Sequence, residues 1–307
     1  MSKKQCIAAG IVLYNPDIER LKKCFDSLKQ QVSKIFVFDN SEIQHVIQDK
    51  SVVYLSEDKN RGIAYALNCI MLEAQKNGFD WVVTMDQDSV VPNGLFEGFK
   101  SAIDQHPEVG IICPIVKDKR RSYEIVKQDN SEEFIEFCIT SASCTSIQAW
   151  EKCGRFDDWL FIDLVDNDFC KRICSSGYKI LQLKQFCLDQ EFGKIFPKSE
   201  KIQKFWIAVS KILHNKNFAK FSYKKIVVPN RVYFTNRNII YVNKKLKKYG
   251  PVGYENYNCK SYLGFIFAFM VPSILRAQNK KIVLKATLKG ILDGIKSTPK
   301  EWSADKY

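Results

Sequence analysis

The sequence predicts an α/β protein: a doubly wound, mostly parallel sheet followed by a basic, helical C-terminal extension. Three observations predict it. Through the first 120 residues, short apolar runs alternate with segments of helical periodicity, the pattern of parallel strands joined by crossover helices. Asn15, Asp39, Asn40, Asp86 and Asp88 each follow a strand-like run, which puts them at the carboxyl rim where such sheets bind ligands. Charge is also divided along the chain. Residues 194–307 carry 24 Lys and Arg against 5 Asp and Glu, a net of +19, whereas residues 1–193 carry 23 against 29, a net of −6.

The elements follow in order. Ile7–Tyr14 is an apolar run ended by Asn15-Pro16, and Leu21, Cys24, Phe25 and Leu28 then recur at helical spacing. Ile35–Phe38 and Val52–Leu55 are the second and third strands. Gly62–Ala74 is Ala-rich, apolar on one face and closed by Asn77-Gly78, so it reads as a helix. Trp81–Met85 is the fourth strand, and after a helix near Gly94–Ile103, Val109–Cys113 is the fifth. Beyond it the pattern is less regular. Phe134–Ile139 reads as a strand, Thr145–Cys153 as a short helix, and Asp166–Ser176 as a helix stopped by Gly177. From about Phe196 onward the chain reads as helical and basic, with aromatics interspersed. These signals divide it into a domain over residues 1–240 and an extension over 241–307.

Eleven cysteines without a CxxC pair, and with no His at metal-ligand spacing, read as the reduced thiols of a cytosolic protein. The apolar run after Lys3 and Lys4 is too short for the core of an export signal. No stretch reaches the roughly 18–20 apolar residues that span a bilayer. The nearest, Tyr262–Leu275, is shorter and carries Pro272. Lys260, Arg276, Lys280, Lys281, Lys285 and Lys289 flank it, which favours a segment lying in a membrane interface over a core helix. A basic half also suits nucleic acid, but the acidic half would repel that backbone and no RNA-binding motif occurs. The expected polyanion is an anionic membrane surface, and no nucleic acid.

The strongest local signal for chemistry runs from Trp81 to Ser89. Asp86 and Asp88, one residue apart beyond a buried strand, can share a hard divalent cation with a diphosphate. By itself the tripeptide serves equally as a solvated turn. In Asn60-Arg61-Gly62, Gly62 would let backbone approach a ligand at a helix start, with Arg61 and Asn68 facing it. Asp163, Asp166 and Asp168 fall within six residues at the start of a helix. Carboxylates there either cap the helix and compensate its dipole or supply a general base. The absence of GxGxxG after the first strand argues against a Rossmann dehydrogenase. Tyr14-Asn15-Pro16-Asp17 is likewise no triphosphate-binding loop, against a nucleotidyltransferase.

Together these residues resemble the inverting, GT-A-fold glycosyltransferases of family 2, in particular the rhamnosyltransferase-like branch that builds bacterial surface polysaccharides. The resemblance covers about residues 5–245. It implies a nucleotide-diphosphate sugar donor, rhamnose-like by preference, met by Tyr14, Asn15, Asp39, Asn40, Arg61, Gly62, Asn68 and Asp86. Arg231 and Arg237, in an Arg-aromatic segment, are implied to meet the diphosphate. Asp166 takes the place of the family's catalytic base, with Asp163 and Asp168 as alternatives. The metal, Mg2+ or Mn2+, is implied at Asp86 and Asp88. The family often has a His-x-(Leu/Ile)-Gly after the catalytic helix; here the stretch is Gln190-Glu191-Phe192-Gly193, which leaves Gln190 as the third ligand. The acceptor implied is a glycan on a polyprenyl diphosphate, with the enzyme cytoplasmic and peripheral on the inner face of the cell membrane.

Overall fold

The computed structural model describes residues 5–118, 120–121, 127–191 and 193–306; Lys3, Lys4 and Phe192, named above, lie outside them. The first half runs β1 (Ile7–Leu13), α1 (Ile18–Lys29), β2 (Ile35–Asp39), β3 (Val52–Ser56), α2 (Ile63–Lys76), β4 (Trp81–Asp86), α3 (Leu95–Gln105) and β5 (Val109–Lys117). All five residues of β2 are buried, because helices cover both faces of a parallel sheet. Asp17 starts α1 by accepting the Arg20 N–H at 3.1 Å, an N-cap.

The chain continues through β6 (Glu132–Ile135), β7 (Ser143–Ser146), α4 (Ile147–Lys152), α5 (Val165–Ser175) and β8 (Lys179–Asp189). Then come β9 (Ile195–Pro197), α6 (Glu200–Ile212), β10 (Tyr223–Lys225) and α7 (Pro229–Lys245). The last helices are α8 (Tyr262–Phe265), a π turn (Ile266–Met270), α9 (Val271–Arg276) and α10 (Lys280–Lys296). Eight strands form one sheet in the order β3-β2-β1-β4-β7-β5-β8-β6. β7 runs antiparallel to β4 and β5, and β6 antiparallel to β8; the remaining pairs are parallel. One core, around Ile70, Trp150 and Phe169, lies on one face; another, around Leu28, Phe96 and Phe99, lies on the other.

The mostly parallel α/β architecture and its helical C-terminal region are as expected; four details differ. Thr145 and Ser146 belong to β7, not to a helix. Thr145 pairs with both Val82 and Ile111, so the sheet claims it, and Ser146 caps α4 instead. The strand expected at Phe134–Ile139 ends at Ile135. β8, eleven residues long, was not expected, because Gln182, Lys184 and Gln185 interrupt its apolar pattern. Phe196 is in a strand, since β9 and β10 pair as a small antiparallel sheet in what reads as helical sequence.

The expected boundary at residue 240 falls inside α7. Past it, the chain returns to the core. Trp302 is buried, its backbone N–H donating to Lys245 O and its indole N–H to Cys153 O. The segment Glu255–Arg276 also exceeds the expected apolar length. It spans 22 residues with a mean hydropathy of 1.3 over its best 18, of which 17% are buried. Between Lys260 and Arg276, Tyr, Ser and Gly interrupt it without adding charge, which is why a count of unbroken apolar residues falls short.

Candidate active site

Strand register builds the rim. In the parallel ladder Leu13 pairs with Asp39 and Val12 with Asp86. Tyr14, Asp39 and Asp86 therefore leave the sheet side by side, at its carboxyl edge. Gln87, a mere spacer in the sequence, stitches that edge: its amide accepts from Tyr14 N–H at 2.8 Å and donates to Tyr14 O at 3.1 Å. Asn15 is held in the left-handed region (φ 44°) by its N–H bond to Ser41 Oγ. Tyr14 and Asn15 are exposed and open to a ligand.

Their neighbours are not. Asp39 is fully buried and accepts from Ser41 N–H, His45 N–H and Tyr54 Oη–H, hydrogen bonds that hold its carboxyl below the ordinary range despite burial. Asn40 accepts from Arg61 N–H and donates to Gly62 O. Both residues shape the rim from beneath it. Asn68 is a correction of the same kind. It is buried in α2, donating to Phe156 O and Asp158 and accepting from the Trp150 indole and Phe156 N–H, so it fastens α2 to the turn before α5. Gly62 needs its glycine (φ 87°) because an added Cβ would lie 2.5 Å from Phe161 O; what approaches its backbone is Phe161. Arg61 stays at the surface, stacked on Tyr65 at 4.4 Å.

Asp86 and Asp88 part company beyond β4. Burial, then the negative charge of Asp88, push the Asp86 carboxyl up to about 6. Asp88 is exposed and faces Arg20 at 3.4 Å; Arg20 also meets Glu191 at 2.9 Å, and Arg120 carries the chain of charges on to Asp118. No spacing rule could have found Arg20, which lies in α1. Gln190 does come beside Asp86, but as a hydrogen-bond donor. Its Nε2 donates to Asp86 Oδ2 at 2.6 Å while its Oε1 accepts from Ser89. The third-ligand expectation therefore fails in this arrangement, because the amide oxygen is committed elsewhere. Among the described residues, no group of three His, Cys, Asp or Glu side chains is set to hold a metal.

The acidic turn shows three carboxylates with three fates. Asp163 and Leu164 both adopt left-handed backbone, at φ 68° and 63°, costly for side chains larger than glycine. Asn238 of α7 holds the turn, donating to Ile162 O at 2.8 Å and Asp163 O at 2.9 Å. Asp163 accepts two hydrogen bonds from Arg231 and one from Thr235. Asp168 is fully buried between Arg172 and Lys245, at 2.6 and 2.9 Å. Neither alternative base is available, since each carboxylate is saturated by cations. Among the described residues, Asp166 alone of the three makes no ion pair, although Arg231 feels its charge. It accepts from backbone, from Asn167 N–H at 3.0 Å and from its own N–H, and burial pushes its carboxyl up to about 7.

One loop joins the two acidic centres. Asp86 N–H donates to Ser141 Oγ at 3.2 Å, and the adjoining Thr140 and Ser143 line a crevice with Asp166, Cys138 and Phe156. Arg231 feels the charges of Asp163 and Asp166 and acts on that of Asp86. Asp86, Asp166 and Arg231 are thus gathered, although 145 residues separate the first from the last. Tyr257, which no motif points to, has its phenol raised by burial and then by Asp163. Arg237 departs: it stacks on Trp159 at 3.8 Å and Phe234 at 4.8 Å and donates to Trp159 O, an aromatic cage facing α10 rather than the cleft.

Known proteins share this fold. The structure is similar to GalNAc-T7, crystallised with UDP, GalNAc and Mn2+, at a TM-score of 0.53 and 12% identity, covering 88% of this chain and 57% of that one. It is also similar, at a TM-score of 0.47 and 14% identity, to residues 1–349 of S. aureus TarS, over 94% and 89% of the two chains. In sequence the chain is 28% identical to the dTDP-rhamnosyl transferase RfbF of Shigella flexneri over 190 residues, 56% of this chain and 64% of that protein. The chain thus spans under two thirds of that relative's length. The sequence profile described as glycosyl transferase family 2 matches residues 9–170, the stretch that carries the rim, the DxD turn and the start of α5. That is more than half of the residues, and the chain belongs to glycosyl transferase family 2.

Proposed function

We propose that the chain is an inverting glycosyltransferase, moving a sugar from a nucleoside diphosphate to a lipid-linked glycan in surface-polysaccharide synthesis. One observation carries the reading: Asp166, which among the described residues has no ion pair, lines a crevice with Thr140 and Ser143, beside Ser141, which accepts from Asp86 N–H. The likeness to a dTDP-rhamnosyl transferase favours dTDP-rhamnose as donor.

Asp166 accepts the proton of an acceptor hydroxyl as its oxygen bonds to the anomeric carbon. The bond from that carbon to the diphosphate oxygen breaks on the opposite face, so configuration inverts. A carboxyl pushed up to about 7 is basic enough for that task and still largely ionised just above neutrality. The donor set of Asp86 and Asp88 fits a hard cation, because the repulsion that raises Asp86 is relieved by positive charge. When bound there, Mg2+ or Mn2+ supplies charge against the departing diphosphate. Arg231, already within reach of both acidic centres, adds to it. Outward apolar rows on α8–α9 and α10, with the surrounding lysines, support peripheral attachment to an anionic inner membrane face.

A thermal-shift screen of nucleoside diphosphates and their sugars tests the reading, since a ligand of the native state raises its melting temperature. A thymidine or uridine diphosphate should stabilise the protein, and more so with Mg2+ or Mn2+. Silence across the whole panel would end the proposal.

A further inference from the structure

Five basic side chains gather beside the cleft from separate stretches of chain. Lys220 lies in the turn Phe218–Ser222, Lys225 ends β10, Arg231 opens α7, Arg276 ends α9, and Arg121 comes from the loop after β5. Lys220 feels the charges of Lys225, Arg276 and Arg121, and Lys225 those of Arg121, Arg231 and Arg276. Aromatic rings fix two of them, Arg276 over Phe221 at 4.7 Å and Arg121 over Tyr223 at 5.9 Å.

Like charges brought together cost stability unless anions answer them, more at half-buried Lys220 and Arg276 than at Lys225, which is exposed. Asp163 answers Arg231, and Asp118 answers Arg121 at 3.4 Å. Among the described residues, no carboxylate comes within ion-pair distance of Lys220, Lys225 or Arg276. Lys220 donates only to Asn217 Oδ1, at 2.7 Å. Burial, then its cationic neighbours, push its ammonium down to about 8. The cluster also has a direction. Arg231 forms its cleft end, near Asp166. Arg276 forms the other, directly after Leu275, which is 65% exposed in the outward apolar row of α8–α9.

We propose that Lys220, Lys225 and Arg276 form a second diphosphate site, separate from Asp86 and Asp88, which holds the diphosphate of the acceptor's lipid carrier. The inference rests on the transferase reading above. An acceptor anchored there would have its isoprenoid over the exposed row and its glycan extending past Arg231 toward Asp166.

The test uses the full chain and two kinds of phosphatidylcholine vesicle, one carrying farnesyl diphosphate, the other phosphatidylglycerol at equal charge. Lys220→Gln, Lys225→Gln and Arg276→Gln should each weaken binding to the first kind by about tenfold, the loss expected for one charge-assisted hydrogen bond. Binding to the second kind should fall far less, and inorganic diphosphate should compete with the first. Lys225→Arg, which keeps the charge, should retain binding and guards against loss of fold. Equal losses on both vesicles, no loss, or no competition would overturn the site. So would a parallel loss of soluble nucleoside diphosphate binding, which would assign the cluster to the donor. The two readings separate cleanly: diphosphate binding without sugar transfer sinks the enzyme reading, whereas transfer to a soluble acceptor without lipid diphosphate binding sinks this site.

Discussion

Residues 5–193 and residues 194–306 treat apolar surface in opposite ways. Among the described residues, six large apolar side chains are exposed in the first region and sixteen in the second. The first region hides its apolar residues on both faces of a sheet and exposes acidic groups at the rim. In the second, α6 buries none of its residues, while Leu263, Phe267, Val271 and Leu275 on one side, and Leu284, Leu288 and Leu292 on another, line up outward. A four-residue spacing drifts about 40° per step around an α-helix. The π turn at Ile266–Met270, with its wider winding, counters that drift and keeps Leu263 to Leu275 in one row. Rows of this kind mark surfaces that meet something other than water. The lesson is one of division: the sheet region gathers acidic groups at its rim, and the basic region sets grease and cations at its surface.

Four tests break or sharpen that contrast. Asp166→Asn should lower sugar transfer by about 10²–10⁴-fold with nucleoside diphosphate affinity unchanged, measured by turnover and calorimetry. Retained turnover would remove chemistry from the first region as drawn here. Asp168→Asn should instead destabilise by about 3–5 kcal/mol, because Arg172 and Lys245 would lose their buried anion; denaturant midpoints would report it.

The third is a sign test on pH. Asp86 and Asp166 have raised native values, about 6 and about 7, so their share of stability is complete below the unfolded value and fades as pH climbs through 6 to 7. Asp166→Asn should therefore be more stable than the parent at pH 8 by about 1–3 kcal/mol and show no gain at pH 4. The same ionisation should give transfer an acid limb near pH 7. A gain confined to low pH would contradict the buried-base assignment. Smallest in stability is Leu263→Ser with Phe267→Ser. Both residues are exposed, so the melting temperature should hardly move while sedimentation with anionic vesicles falls; unchanged sedimentation would deny the second region its partner.

How much of this was legible depended on the range of the interactions. β1 to β5 and α5 were readable because their apolar periods are local. The burial of Asp39, Asn40 and Asn68 was not legible because sequence reports a residue's type but not its orientation. Asn68 looks like a ligand contact until Trp150 and Phe156 fill it. Among Asp163, Asp166 and Asp168 no local rule could choose. What separates them is Arg231, Arg172 and Lys245, and two of those three cations arrive from α7. Tyr257 and Arg20 carried no local signal at all.

Trp302, slotted between Lys245 and Cys153, has a practical corollary. The helix it pins is the one whose Asn238 steadies the turn before Asp166. During synthesis, the nascent sheet can assemble early, yet the cleft stays unfinished until residue 302 has left the ribosome. Trimming the chain at 261 to remove its greasy helices would also unseat this plug, so only point changes can separate attachment from catalysis.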